Sequence, residues 1–139
     1  MRLPESIEAV IFRKQDKVTE FLIFRYNVTK GGFWANLTGG REEGEDLAGT
    51  LKRELKEETG ITEKQIMRII PDIHYHEWKD HSDTLIKEHF FGVEVDLKAN
   101  VVLSPEHVEY LWCSAEKAKS MIKWEHMKEA IDRVMGIVG

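Results

Sequence analysis

Between Gly39 and Ile61 the chain reads GGREEGEDLAGTLKRELKEETGI, an acidic, glycine-bearing loop that runs into an amphipathic segment. Leu47, Ala48, Leu51 and Leu55 recur at three- and four-residue steps, which predicts a helix over Leu47–Thr59 with one apolar stripe for a core. Asp46 is placed to cap its start, and Gly60 to end it in the left-handed conformation. On that helix Glu54, Glu57 and Glu58 stand at i, i+3 and i+4, so their carboxylates share one face. Three like charges this close repel unless something positive sits among them. Oxygen ligands of this kind suit a hard divalent cation, Mg2+ or Mn2+. Arg53 lies four residues before Glu57 and can orient a carboxylate or hold back its charge. Acidic helix faces are usually just solvated, and the loop and glycines set this one apart. Glu42 and Glu43, in the loop, read as solvated.

The rest of the chain predicts a β-rich scaffold around that helix. Ile7–Phe12 and Phe21–Tyr26 are apolar, β-prone runs separated by Lys14-Gln15-Asp16-Lys17, the pattern of a hairpin. Gly31-Gly32 opens a loop, and Phe33–Leu37 reads as a short strand leading into the acidic stretch. Gln65–Ile70, Ile73–Trp78 and Leu85–Val95 read as three strands, with Asp80–Asp83 as a polar turn. Val108–Trp112 is a further short strand, followed by helices over Ala115–Ile122 and Glu125–Val138. No repeat, low-complexity tract or linker interrupts the chain. Periodicity alone reaches an α+β or α/β fold.

Composition bounds the function. The 139 residues suit one domain, residues 1–139, with a real core, and 42% hydrophobic content suits a soluble globule. A net charge of −5 gives no electrostatic footprint for nucleic acid, and no apolar run approaches membrane-spanning length. The N-terminus lacks the pattern of a signal peptide. The one cysteine, Cys113, precludes an internal disulfide and suits a reducing cytoplasm.

Gly39, Glu45, Arg53, Glu54, Leu55, Glu57, Glu58, Gly60 and Ile61 fall at the specified positions of G-x5-E-x7-R-E-U-x-E-E-x-G-U, U being aliphatic. The stretch over residues 39–61 thus resembles the Nudix box, the signature of the Nudix hydrolases. Starting from Gly40 instead breaks the match, so only one register works. The resemblance implies an α/β/α sandwich with a mixed β-sheet and a metal-dependent hydrolase that cleaves phosphoanhydrides. It implies metal ligation by Glu54, Glu57 and Glu58, and a bracing role for Glu45.

A second resemblance narrows the chemistry. FWANLTGGREEGE, from Phe33 to Glu45, is similar to a run in bacterial dihydroneopterin triphosphate diphosphatases, which also hydrolyse dATP. Glu106-His107-Val108-Glu109-Tyr110-Leu111-Trp112 resembles their E-H-x-x-Y-x-W pattern. This implies that Glu106 is a further metal ligand and candidate base, with Glu57 and Arg53 in the catalytic set, and that Arg25 and Thr38 contact substrate. Phe33 and Trp34 are candidates to stack on a purine. Expected partners are a nucleoside polyphosphate or pterin triphosphate, with the chain a monomer or homodimer.

Departures from that group leave the substrate open. The loop between Arg25 and Phe33 is longer here, and Gly40-Arg41 stand where the group has a small and an aliphatic residue. The E-H-x-x-Y-x-W pattern also occurs in diadenosine tetraphosphate hydrolases, the alternative reading, although their P-K-G before the box is Leu37-Thr38-Gly39 here. A non-catalytic nucleotide-binding regulator is the third reading, and such modules generally lose box carboxylates. His74, His76, His81 and His89 make a weak case for zinc, since spacing is all that supports it. Trp78, Trp112 and Trp124 read as core or interface residues, and Cys113 as a buried strand residue.

Overall fold

The computed structural model describes residues 3–139. Seven strands and three helices follow one another in the chain: β1 (Glu5–Gln15), β2 (Val18–Tyr26), β3 (Trp34–Ala35), β4 (Leu37–Gly40), α1 (Leu47–Thr59), β5 (Ile66–Lys79), β6 (Leu85–Val95), β7 (His107–Cys113), α2 (Ala115–Met121) and α3 (Glu125–Val138). All seven strands join one mixed sheet in which β1 runs parallel to β6 and antiparallel to both β2 and β4.

Period-two alternation divides β1 between two cores. Ile7, Ala9 and Ile11 pack with Leu51 and Leu55 of α1, while Val10 and Phe12 pack with Met127, Ile131 and Val134 of α3. The sheet therefore has a helix layer on each face, the three-layer α/β/α arrangement expected.

A fork in the sheet positions everything functional. Along one edge, the second half of β1 pairs with β2 (Ile11↔Leu22), while its first half pairs with β4 (Ala9↔Leu37). The end of β2 leaves β1 and pairs with β3 (Phe24↔Ala35). The segment expected as one strand over Phe33–Leu37 is thus two short strands serving two different partners. Asn36 sits at the crossing.

The pair of strands expected over Gln65–Ile70 and Ile73–Trp78 is a single edge strand, β5. Pro71 lacks an N–H and Asp72 adopts φ 54°, so the ladder to β6 shifts register between Ile70 and His74 and then resumes. Pro71 and Asp72 thus form a bulge within one strand, and the expected turn at Asp80–Asp83 is closed by the Asp83 N–H donating to the Asp80 carbonyl at 3.0 Å. A short 3-10 turn at Glu63–Gln65 leads into this strand, and another at Val28–Lys30 follows β2. Among the described residues, no helix is long and apolar enough to cross a membrane.

Candidate active site

Helix α1 has the predicted ends. Asp46 accepts a hydrogen bond from the Gly49 N–H at 2.7 Å, and Gly60 closes the helix at φ 74°. Its apolar stripe lies on the sheet, so the opposite edge presents the acids. Glu54 approaches β4 so closely that a Cβ at Gly39 would stand 2.2 Å from its carboxyl carbon. Only glycine permits that approach.

Glu54, Glu57 and Glu58 bring one carboxylate oxygen each within 4.8 Å of the others. Glu57 leaves 53% of its side chain exposed, whereas Glu54 and Glu58 keep 12% and 10%. Burial pushes the Glu54 carboxyl up to about 7, against the opposing pull of Arg53. Burial likewise raises Glu58, with the Ser104 hydroxyl pulling the other way. Crowded, half-buried carboxylates that resist losing their protons lack positive charge, and an all-oxygen donor set fits a hard divalent ion.

Arg53 organises the loop. Its Nε and Nη2 donate to the two Glu45 carboxylate oxygens at 2.6 and 3.2 Å, and Nη2 also donates to the Gly40 carbonyl at 2.8 Å. From Nη1 it reaches Glu54 at 2.9 Å and Glu57 at 3.3 Å. Those bonds hold the Glu45 carboxyl down to about 2. Glu45 also accepts from the Glu42 N–H and the Thr50 hydroxyl, so it is bound to the loop and does not face the acid cluster.

A second element arrives from the far side. The Val102 N–H donates to the Thr59 carbonyl at 2.9 Å, fastening the segment before β7 to the end of α1. Ser104 donates its hydroxyl to Glu58, and His107 brings Nδ1 to 3.5 Å from the same carboxylate. Both His107 nitrogens are buried without a hydrogen-bond partner, and burial lowers the ring's pKa. Glu106 sits between them in sequence, half-exposed, paired with Lys30 at 2.8 Å. Its charge adds to the forces raising Glu58. Ser104 and Lys30 escaped the sequence reading; only their positions in loops flanking the motif hinted at them.

The other expected contacts lie around the fork. Arg25 donates to Glu109 at 2.9 Å and to the Gly32 carbonyl at 3.3 Å. Thr38 and Tyr26 share a hydrogen bond of 3.0 Å across the gap between β4 and β2. Phe33 packs edge-on against Trp124 with Lys123 over its ring, and Trp34 packs against the α3-side core. Neither lines the cavity that opens at the fork. That cavity, about 400 Å³, is walled by Tyr26, Thr38, His76, Trp78, Glu88, Trp124, His126 and Met127. Trp78 and Trp124, expected in core or interface, supply its flat walls. Of the histidines, His74 meets Glu129 at 3.3 Å and His76 stacks on His126, so the two adjacent strand histidines do not converge on each other as ligands.

The NUDIX domain model matches residues 2–134. The chain belongs to the Nudix hydrolase family. It is 30% identical to the dihydroneopterin triphosphate diphosphatase of Haemophilus influenzae, over 94% of this chain and 87% of that protein. It is also 27% identical to an octanoyltransferase of Myxococcus xanthus, but there it spans 36% of the relative's length. That overlap carries a domain and not the whole relative's activity. Among solved structures, the E. coli dihydroneopterin triphosphate pyrophosphohydrolase is 26% identical with a TM-score of 0.79, covering 95% of this chain and 94% of that one. The Ap4A hydrolase of C. elegans has a TM-score of 0.83 at 22% identity, covering 97% of each chain, and shares the Nudix fold.

Proposed function

We propose that this single-domain chain is a Mg2+- or Mn2+-dependent pyrophosphohydrolase of a nucleoside triphosphate or related compound, of the dATP or dihydroneopterin triphosphate type, releasing the monophosphate and pyrophosphate. The observation that carries the reading is the intact Glu54-Glu57-Glu58 cluster, braced by Arg53 and faced by Glu106. Glu54, Glu57 and Glu58 would hold the metal, and Glu106 would be a further ligand. When bound, the ion lowers the pKa of water and neutralises phosphoryl oxygens.

The chain's own residues do the rest. Arg53 keeps the carboxylates aimed and the loop closed. In the reaction water adds to phosphorus, its proton passes to a carboxylate, and the P–O bond to the leaving phosphate breaks. Glu106 and Glu57 are the candidate acceptors of that proton. Arg25, Lys30 and Thr38 ring the fork and are suited to hold phosphate oxygens. A cytoplasmic setting suits such a small-molecule substrate.

Diadenosine tetraphosphate hydrolysis is the second reading, supported by the C. elegans likeness in fold and by the tryptophan-walled cavity. Product analysis separates the two. With Mg2+ or Mn2+, the chain is offered dATP, the other nucleoside triphosphates, dihydroneopterin triphosphate, diadenosine tetraphosphate and ADP-ribose. Monophosphate plus pyrophosphate from a triphosphate is the expected result. ATP released from diadenosine tetraphosphate alone transfers the assignment to the second reading. Nucleotide binding without turnover of any compound makes the chain a regulator.

A further inference from the structure

His107 is a buried titratable group that the proposed chemistry leaves idle, although it lies against the acid cluster. It keeps 5% of its surface exposed, and neither ring nitrogen has a hydrogen-bond partner among the described residues. Its ring sits in an aromatic slot, with its centroid 5.1 Å from that of Phe24 and 4.8 Å from that of Tyr26. For packing alone a phenylalanine would serve better, since burying polar nitrogens without partners is unfavourable. The ring must be placed by something other than packing.

Strand pairing turns it to this position. Leu111 packs in the α3-side core opposite Ile23, and Glu109 pairs with Arg25 by the same alternation. Continued without a break, that alternation would send His107 to the α3 side as well. Instead the next pair is Tyr26↔His107, so two residues of β7 stand against one of β2, and Val108 is the extra residue. A bulge of this kind re-aims the side chain beyond it. His107 therefore meets Phe24, a member of the α1-side core, and directs Nδ1 at Glu58 Oε2. The separation of 3.5 Å is just past normal hydrogen-bond length.

The same Glu58 oxygen accepts from the Ser104 hydroxyl. Ser104 is itself tied down: its N–H donates to the Glu58 carbonyl at 3.4 Å, and its side-chain oxygen accepts from the Glu106 N–H at 3.3 Å. Two donor groups, one from the loop before β7 and one from β7 itself, thus converge on one carboxylate oxygen. Burial lowers the His107 pKa, so the ring is neutral and carries a single N–H, placed on whichever nitrogen finds an acceptor. We infer that His107 is a positioning residue for the metal: its Nδ1–H, together with the Ser104 hydroxyl, orients Glu58 so that the other carboxylate oxygen faces the ion. Ligating carboxylates are ordinarily hydrogen-bonded in this way, and losing such a partner weakens metal binding. The role rests on the metal-dependent hydrolase reading and names what aims one of its ligands.

Metal uptake and the ring's own spectrum test it without turnover. Mn2+ binding to the full chain is followed by electron paramagnetic resonance, counting the sites that Glu57→Gln abolishes. His107→Phe keeps an aromatic ring and removes both nitrogens, whereas His107→Asn offers a donor near the place of Nδ1. His107→Phe should weaken Mn2+ binding by about ten- to a hundredfold, and His107→Asn by about threefold or less. In the unmodified chain, long-range nitrogen–proton NMR correlations should find the His107 proton on Nδ1. A proton on Nε2 overturns the inference, and that observation needs no variant to fold. Mn2+ affinity within about twofold of the natural value in His107→Phe overturns it as well. So do equal losses in the two variants, which would mean that only shape matters. Turnover by the natural chain alongside any of these results leaves the hydrolase standing without this role. No Mn2+ uptake and no turnover by the natural chain overturns the metal-dependent reading and this role together.

Discussion

Two clusters of glutamates occupy opposite faces of one sheet and solve the same electrostatic problem differently. On the α1 face, Glu54, Glu57 and Glu58 keep an arginine in contact and leave Glu57 open to solvent. On the α3 face, Glu8 and Glu88 are closed in by β1, β6 and α3, with the ring of His126 3.8 and 3.6 Å from their carboxylates. Exposure lets the first cluster trade its protons for a multiply charged ion from solution. Enclosure instead raises the Glu8 carboxyl well above the usual carboxylate range, by burial first and the nearby Glu88 charge second. Residue type is the same in both; the dielectric and the company differ.

The largest expected effect strikes the exposed cluster. Glu57→Gln should reduce turnover by about a thousandfold or more, with circular dichroism and thermal midpoint little changed, because an exposed side chain contributes ligation and not packing. Activity retained with ordinary Mg2+ dependence removes Glu57 from the metal set. Glu106→Ala should slow kcat by about ten- to a hundredfold while Mn2+ binding, followed by electron paramagnetic resonance, stays near its original strength. An unchanged rate takes Glu106 out of the site.

Protons sharpen the contrast between the faces. With Glu54 at about 7, the metal must displace a proton to bind in neutral solution. Apparent Mg2+ affinity should therefore fall as pH drops below 7, approaching about tenfold per unit, and calorimetry in buffers of different ionisation heat should register proton release. Flat affinity between pH 6 and 8 contradicts that picture. The smallest effect belongs to the buried pair. A carboxyl whose pKa is raised by folding gives its full contribution below its unfolded pKa, and loses it as pH climbs through the folded value. Glu8→Gln mimics the protonated acid and escapes that loss. Denaturant titration should find the variant equal to the natural chain in mild acid and about 1–2 kcal/mol more stable above neutrality. A variant destabilised at high pH means that Glu8 is held as an anion by a partner.

The exposed cluster was legible in the sequence because it is local. Asp46, Gly60, the leucine stripe and the i, i+3, i+4 acids all lie within one helix, where 3.6-residue periodicity converts spacing directly into shape. Layer order and family followed from the same stretch. The strand positions were also readable, except where Pro71 and Asp72 bulge β5 and where β3 and β4 divide at Asn36. Those exceptions depend on which strand each half finds as a partner.

The cavity was not legible. Trp78, Trp124, His126, Glu8 and Glu88 come from β5, the start of α3, α3 itself, β1 and β6, and no spacing rule links them. A charged residue inside an apolar strand, as Glu8 is, was the one hint. Sequence by itself determined the helix, its acids and the hydrolase family, since neighbours along a helix are neighbours in space. Only the tertiary structure decided that two distant strands would set two carboxylates side by side beneath aromatic walls, because sheet pairing joins residues 82 positions apart, Glu8↔Phe90 beside Ser6↔Glu88, as readily as adjacent ones.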